Sequence, residues 1–279
     1  MPSCVSGVMR ACHPEPAAAV TAVAGLLAWG VGHRPGAIAT VTGAVLASQL
    51  AVGWSNDWLD ARRDQLAGRH DKPIPTGAAR RGVIGVAAAA ATLATPLLAL
   101  RTNAVAAGCL TLALVSGLLY NWPLKSTPAS VLPYLVSFGA LPAFVVLALP
   151  DRPPPPIWLV AGGALLGGGA HFVNVLPDLA DDARTGVRGL PHRCGPLGSR
   201  LAAAGLLFAA TLVLVFGPPG APSGLGLIAL AATVVILTAG WYATRAARRR
   251  GERTTAVFRA VLLVAVIDVV LLVTKGQIV

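Results

Sequence analysis

Asn56-Asp57-Trp58-Leu59-Asp60-Ala61-Arg62-Arg63-Asp64 decides the reading of this chain, because its outline occurs twice. Residues 56–73 follow the pattern Asn-x3-Asp-x3-Asp-x3-Gly-x4-Pro. Residues 174–191 repeat it through Asn174, Asp178, Asp182, Gly186 and Pro191, at one constant offset. Agreement at five positions points to an internal duplication. Of the 11 acidic residues, Asp57, Asp60, Asp64, Asp71, Asp178, Asp181 and Asp182 lie in or beside the two copies. A chain poor in carboxylates has gathered most of them in two matching places.

Outward from the motifs, the chain is apolar. Hydrophobic residues make up 55% and charged residues 12%, with a mean hydropathy of +0.71. Soluble domains carry about 25% charged residues. Nine apolar segments are predicted, at 15–33, 37–57, 82–100, 103–120, 128–149, 157–177, 200–217, 223–243 and 256–274. Most approach the ~20 residues that cross a hydrocarbon core of about 30 Å. The run Gly162-Gly163-Ala164-Leu165-Leu166-Gly167-Gly168-Gly169 suits close helix packing in lipid. The expectation is an all-α, polytopic membrane bundle of about nine transmembrane helices, built from two four-helix halves plus a ninth helix. It forms one domain over 1–279, with an internal repeat of 15–120 (motif at 56–73) and 128–243 (motif at 174–191).

The basic residues orient the bundle. With a cytoplasmic N-terminus, all of the 22 Lys and Arg except Arg34, Arg101, Arg152 and Lys275 fall on one side. The positive-inside rule makes that side cytoplasmic. A multi-pass protein of the cell membrane is expected, with the N-terminus and both motifs at the cytoplasmic face. The net charge of +11 is then topology plus one functional concentration, and no nucleic-acid partner is needed to explain it. No cleavable signal peptide is evident. Arg80, Arg81 and the run from Arg245 to Arg253 read as membrane anchors. Trp54, Trp58, Trp122, Trp158 and Trp241 read as an interfacial belt, with Trp54 and Trp58 also able to face a cation. Asp268, deep in the last segment, needs a polar partner. Cys4, Cys12, Cys109 and Cys194 lack metal spacing and read as reduced thiols.

Helical positions i, i+4 and i+8 turn by about 80° and climb about 12 Å. Asn56, Asp60 and Asp64 therefore form one polar ridge, and Asn174, Asp178 and Asp182 a second. Two such ridges repel unless a cation lies between them. Carboxylate and amide oxygens are hard ligands that suit Mg²⁺, which takes one or two carboxylates plus substrate phosphates. Each ridge leads into a Gly/Pro-broken loop with basic residues: Arg62, Arg63, Arg69 and Lys72 at the first, Arg184 and Arg188 at the second. Divalent metal and guanidinium groups together describe a pyrophosphate site.

At these residues the chain resembles a known family. Asn56-Asp57-x-x-Asp60-x-x-x-Asp64 resembles the first signature of the intramembrane UbiA-type prenyltransferases, and Asp178-x-x-x-Asp182 resembles the second. Tyr120-Asn121-Trp122-Pro123-Leu124-Lys125 is similar to their Tyr-x-x-Pro-Leu-Lys segment. The resemblance covers essentially the whole chain. It departs at Asn174, where many members carry Asp.

The resemblance implies a Mg²⁺-dependent transfer of an isoprenyl group from an isoprenyl diphosphate, through an allylic carbocation, to an aromatic or other small-molecule acceptor within the bilayer. Asn56, Asp60, Asp64, Asn174, Asp178 and Asp182 are then the metal ligands. Arg63, Lys72, Lys125, Arg184 and Arg188 contact the diphosphate. Tyr120 bonds the diphosphate or orients the acceptor. Asp57 orients a basic side chain or relays a proton. Asp64, Lys125 and Asp182 also belong to the catalytic group. His171, one turn before Asn174, is placed to reach the acceptor. Two other classes share these features. A membrane terpene cyclase would ionise the same diphosphate and close the cation on its own chain, in a pocket without a polar acceptor niche. A transporter would place its carboxylates near the midplane.

Overall fold

A computed structural model of the protein describes residues 4–70, 72–250 and 256–275. Asp71, Arg253 and the side chains of Cys4, Asp181, Arg248 and Lys275 lie outside the described residues. Among the described residues, eleven α-helices and one short 3-10 turn make up the regular structure, and none forms a strand. The helices are α1 (Cys4–Ala11), α2 (Pro14–Gly30), α3 (Pro35–Leu66), α4 (Arg81–Ala99), α5 (Ala104–Asn121) and α6 (Leu132–Leu147). They continue with α7 (Ile157–Val175), α8 (Leu179–Arg184), α9 (Leu190–Phe216), α10 (Gly224–Arg249) and α11 (Ala256–Lys275).

Each of the nine predicted apolar segments falls on a separate helix. Six of them, α3, α4, α5, α7, α9 and α10, are long and apolar enough to cross a membrane, and α6 is a shorter apolar helix. The protein is a multi-pass membrane protein. Proline opens several helices, with Pro14, Pro35, Pro133 and Pro191 in first turns where the missing N–H has no intrahelical partner to lose. Asn103 caps α5 by accepting from the Ala106 backbone N–H.

The helices close into a ring. α2 packs on α3, α3 on α5, α5 on α6, α6 on α7, α7 on α9, α9 on α11, and α11 back on α2. α4 bridges α3 and α5, and α10 bridges α9 and α11. The core of the ring includes Leu27, Val41, Leu110, Phe144, Leu159 and Leu214, while side chains such as Val86, Leu93, Ile228 and Val235 face outward. In water such an apolar exterior would mark an interaction surface; here it is the lipid-facing side. Close approach depends on small residues. A Cβ on Gly167 would meet the Phe138 side chain and stand 2.6 Å from the Tyr134 carbonyl oxygen, so glycine here sets the α6–α7 separation.

The expectations for the second ridge and for Trp54 change in detail, and the one for Asp268 is met. The second ridge is not on one continuous helix: α7 stops at Val175 and α8 restarts at Leu179, with Pro177 unable to donate to the α7 ladder. Trp54 is no belt residue, because its indole N–H donates to the Val8 carbonyl at 2.9 Å and ties α1 to α3. Trp58 instead carries the Arg81 guanidinium 5.1 Å over its ring. Asp268 has the partner it required, accepting from Thr211 Oγ1 at 2.6 Å.

Candidate active site

α3 runs for 32 residues, more than a bilayer needs, so its last turns carry the first motif past the apolar span. Its end is built by Gly68, at φ 66°. The Gly68 N–H donates to the Gln65 carbonyl and the Arg69 N–H to the Asp64 carbonyl. Gly186, at φ 87°, ends α8 in the same way, with Gly186 donating to Ala183 and Val187 to Asp182. This is the glycine-terminated helix end that needs a left-handed residue. The Asp-x3-Gly spacing of both copies is thereby explained: the glycine folds the chain back, and Arg69 and Val187 reach the same cavity wall.

That cavity has a volume of about 930 Å³, near the top of the ~300–1,000 Å³ range of small-molecule sites. Val20, Val45, Leu110 and Leu141 line its apolar end. Asn56, Asp60, Asp64, Asn174, Asp178 and Asp182 line the polar end together with Arg63, Lys72, Tyr120 and Lys125. The two motifs therefore share one site, and Arg69 Nη1 stands 3.8 Å from Asp178 Oδ1 between them. A smaller polar cavity of about 300 Å³ adjoins it, bounded by Arg63, Arg69, Asp182 and Arg184. Arg188 is exposed and outside the walls of both.

Asp60 is the most heavily bonded group. It accepts from Lys125 Nζ at 2.5 and 2.6 Å, from Arg63 Nη2 at 2.8 Å and from Asn56 Nδ2 at 3.3 Å. Asn56 also donates to Asn121 Oδ1, and Asn121 in turn donates to the Val52 carbonyl. Lys125 sits in the short turn Leu124–Ser126 after α5. Burial lowers its ammonium from the usual lysine range, and Asp60 beside it pulls it back up. Burial pushes the Asp182 carboxyl above the usual carboxylate range, opposed by the Arg63 charge.

Asp57 points away from this cavity, with a side chain 2% exposed. It accepts from Lys72 Nζ at 2.6 Å and pairs with His13 Nε2 at 3.0 Å. His13 holds a left-handed backbone, φ 54°, at the start of α2. Gly53 makes room for this junction, since a Cβ there would strike the Cys12 carbonyl. On the other wall Asn174 donates to the Tyr134 hydroxyl at 3.1 Å, and Tyr134 bonds Tyr120. The rings of Tyr120, Tyr134, Phe138 and His171 touch in one cluster, with centroids 4.9–6.0 Å apart. His171 is held through Nε2 by Ser130 at 3.0 Å.

Several site residues escape the motif reading. Asn121 is signalled by its place inside the Tyr120–Lys125 segment. His13, Tyr134 and His192 carry no sequence signal beyond their residue type; only the fold brings them to the cavity.

The donor set is all oxygen. Among the described residues no three His, Cys, Asp or Glu groups form a ready metal cage. Four carboxylates and two amides at one cavity end fit Mg²⁺ completed by phosphate oxygens, and do not fit a closed protein site.

Known proteins share this fold and family. The model of the UbiA prenyltransferase family matches residues 17–266. The digeranylgeranylglyceryl phosphate synthase of Methanopyrus kandleri is 30% identical over 223 residues, covering 72% of this chain and 76% of the relative. A UbiA homologue from Aeropyrum pernix K1 superposes with a TM-score of 0.67 at 19% identity, covering 89% of this chain and 94% of its own. A UbiA homologue from Archaeoglobus fulgidus, solved with GPP and Mg²⁺, gives 0.65 at 14% identity over 96% and 99%. The apolar ring, the paired motifs and the family match together place this chain in the UbiA prenyltransferase family of membrane enzymes.

Proposed function

We propose that the protein is a Mg²⁺-dependent prenyltransferase that moves an isoprenyl group from an isoprenyl diphosphate to an acceptor, most simply an aromatic ring, through an allylic carbocation. One observation carries this reading: Asp60, Asp64, Asp178 and Asp182 meet at the polar end of a cavity whose other end is apolar. The A. fulgidus homologue with GPP and Mg²⁺ supports the same donor class.

Asn56, Asp60, Asp64, Asn174, Asp178 and Asp182 would hold the metal, which when bound supplies positive charge to the leaving diphosphate. Arg63, Lys72 and Lys125, with Arg69 and with Arg184 in the outer cavity, stabilise the same developing charge. The donor C–O bond breaks with its electron pair leaving on the diphosphate. The acceptor supplies the electrons of the new bond and loses a proton. Asp57 holds Lys72 in place from behind. Tyr120 is positioned through Tyr134, and the aromatic cluster screens the cation from water.

We infer further that nine helices, all but α1 and α8, span the cell membrane, with the N-terminus and the polar cavity end cytoplasmic. Two halves, 15–120 and 128–243, each contribute one motif. The matched glycine-terminated turns after Asp64 and Asp182 support that duplication. Transfer is favoured over cyclisation by Ser48 and Gln49, polar side chains on the cavity wall toward its apolar end.

Purified protein incubated with geranyl, farnesyl or geranylgeranyl diphosphate and Mg²⁺ tests the reading, with an aromatic acceptor, a glyceryl phosphate lipid or neither. Prenylated acceptor is expected. A cyclic hydrocarbon or alcohol formed without acceptor would replace transfer by cyclisation.

A further inference from the structure

Three histidines line the cavity: His13 is bonded to Asp57, and His171 is anchored through Nε2 to Ser130, with only its Nδ1 unpartnered. His192 is different. Its side chain is 8% exposed, and neither ring nitrogen has a hydrogen-bond partner. Its nearest charged neighbour is Asp182, with Nε2 3.7 Å from Oδ2, beyond hydrogen-bond reach. Buried polar groups are almost always paired, and an orphan at a cavity wall calls for an explanation.

The surroundings say which ligand would satisfy it. A neutral imidazole in either tautomer offers one N–H donor. Mg²⁺ prefers oxygen and does not need this ring. The Asp182 carboxylate that His192 faces also lies within reach of the Arg63 and Lys125 charges. His192 is thus part of the same ring of donors, but it comes from the first turn of α9. Apart from Arg10 of α1 and from Arg184 in the outer cavity, the cations among the described lining residues, Arg63, Arg69, Lys72 and Lys125, lie on the α3 and α5 side, and Arg188 faces away.

We propose that His192 is a diphosphate-binding residue: its ring N–H donates to a diphosphate oxygen from the wall formed by α8 and α9. This rests on the isoprenyl-diphosphate reading of the cavity. His192 takes the place that the motif pattern suggests for Arg188.

The test is equilibrium binding of geranyl diphosphate with Mg²⁺, and of inorganic pyrophosphate with Mg²⁺, to the full chain in detergent. Wild type, His192→Ala, His192→Asn, His192→Gln and Asp60→Ala are compared. His192→Ala should weaken both ligands about tenfold or more, the usual cost of one hydrogen bond to a charged group. Asn or Gln, which restores an N–H near one ring nitrogen, should recover most of the loss. Thermal unfolding without ligand separates binding from packing. A merely structural histidine would lower the midpoint when replaced, whereas an orphaned one leaves it unchanged or raises it, and only the ligand-induced shift shrinks. Unchanged affinity in His192→Ala, with Asp60→Ala losing binding, would overturn the role of His192 and leave the functional reading intact. Failure of wild type to bind either ligand would overturn both.

Discussion

Lys125 Nζ lies 2.5 and 2.6 Å from the two carboxylate oxygens of Asp60, so a lysine from the turn after α5 neutralises the central carboxylate of the first motif. A divalent cation arriving at Asp60 has to share or displace this ammonium. Lys125→Gln should therefore strengthen binding of Mg²⁺ alone, while weakening geranyl diphosphate by about tenfold to a hundredfold through loss of a charge-assisted contact. Calorimetric titration of each ligand checks the opposite signs. Loss of both affinities together would mean that Lys125 only holds the loop.

Asp182 provides a pH-dependent case. Its carboxyl is raised by burial, with Arg63 opposing. A group raised above its unfolded value contributes stability that is present below about pH 3.9, the ordinary aspartate value, and lost as pH rises through the folded value. At neutral pH the ionised group is therefore a cost. Asp182→Asn should raise the unfolding midpoint relative to wild type at pH 7, with the difference shrinking toward pH 4, and it should inactivate the enzyme. Thermal scans across that range in chelator give the comparison; a lower midpoint for the variant at pH 7 would contradict it.

Gly167 is a packing position. Even Gly167→Ala places a methyl against the Tyr134 carbonyl and the Phe138 side chain. Overpacking of this kind costs about 1–3 kcal/mol. Because Tyr134 carries the bond from Asn174, turnover should fall along with stability. Wild-type thermal unfolding and kinetics in this variant would show that α6 and α7 separate freely.

Inward and outward arginines should behave differently. Arg63 bonds Asp60 at 2.8 Å, whereas Arg249 and Arg250 are exposed at and just beyond the end of α10. Arg63→Gln should slow turnover about tenfold to a hundredfold. Neutralising Arg249 and Arg250 should instead reduce insertion or yield, with little change per folded molecule. Steady-state kinetics normalised to monodisperse protein decide this, and equal catalytic losses would mean that topology had been taken for chemistry.

What was legible beforehand follows from what each pattern encodes. Twenty-residue apolar stretches fix helices in lipid because nothing else satisfies the backbone there, so all nine segments fall on helices. The spacing from Asn56 to Asp64 encodes a helix face, and all three side chains do reach one cavity. Pro177 was visible too, yet the ridge from Asn174 to Asp182 extends across it; the break at Val175 is where local chemistry overrode the repeat. Long-range partners left little trace. The Lys125–Asp60 contact was half visible in the Tyr120–Lys125 segment, but the pairing of His13 with Asp57 depends on how α1 and α2 dock on Gly53 and Trp54. Arg188 and His192 stand four residues apart on the same loop and helix start, and of the two His192 lines the cavity, a distinction that residue type and spacing do not encode.

The most direct measurement is pyrophosphate release from geranyl, farnesyl and geranylgeranyl diphosphate by purified protein, in the presence of an aromatic acceptor or a glyceryl phosphate lipid. Wild type is compared with Asp60→Ala and Asp178→Ala, in Mg²⁺ and in excess chelator. Mg²⁺-dependent release with at least one donor is expected from wild type and from neither variant, although both variants stay monodisperse and helical. Full release in chelator, or by either variant, would contradict a site in which the two motifs hold the metal and the diphosphate together.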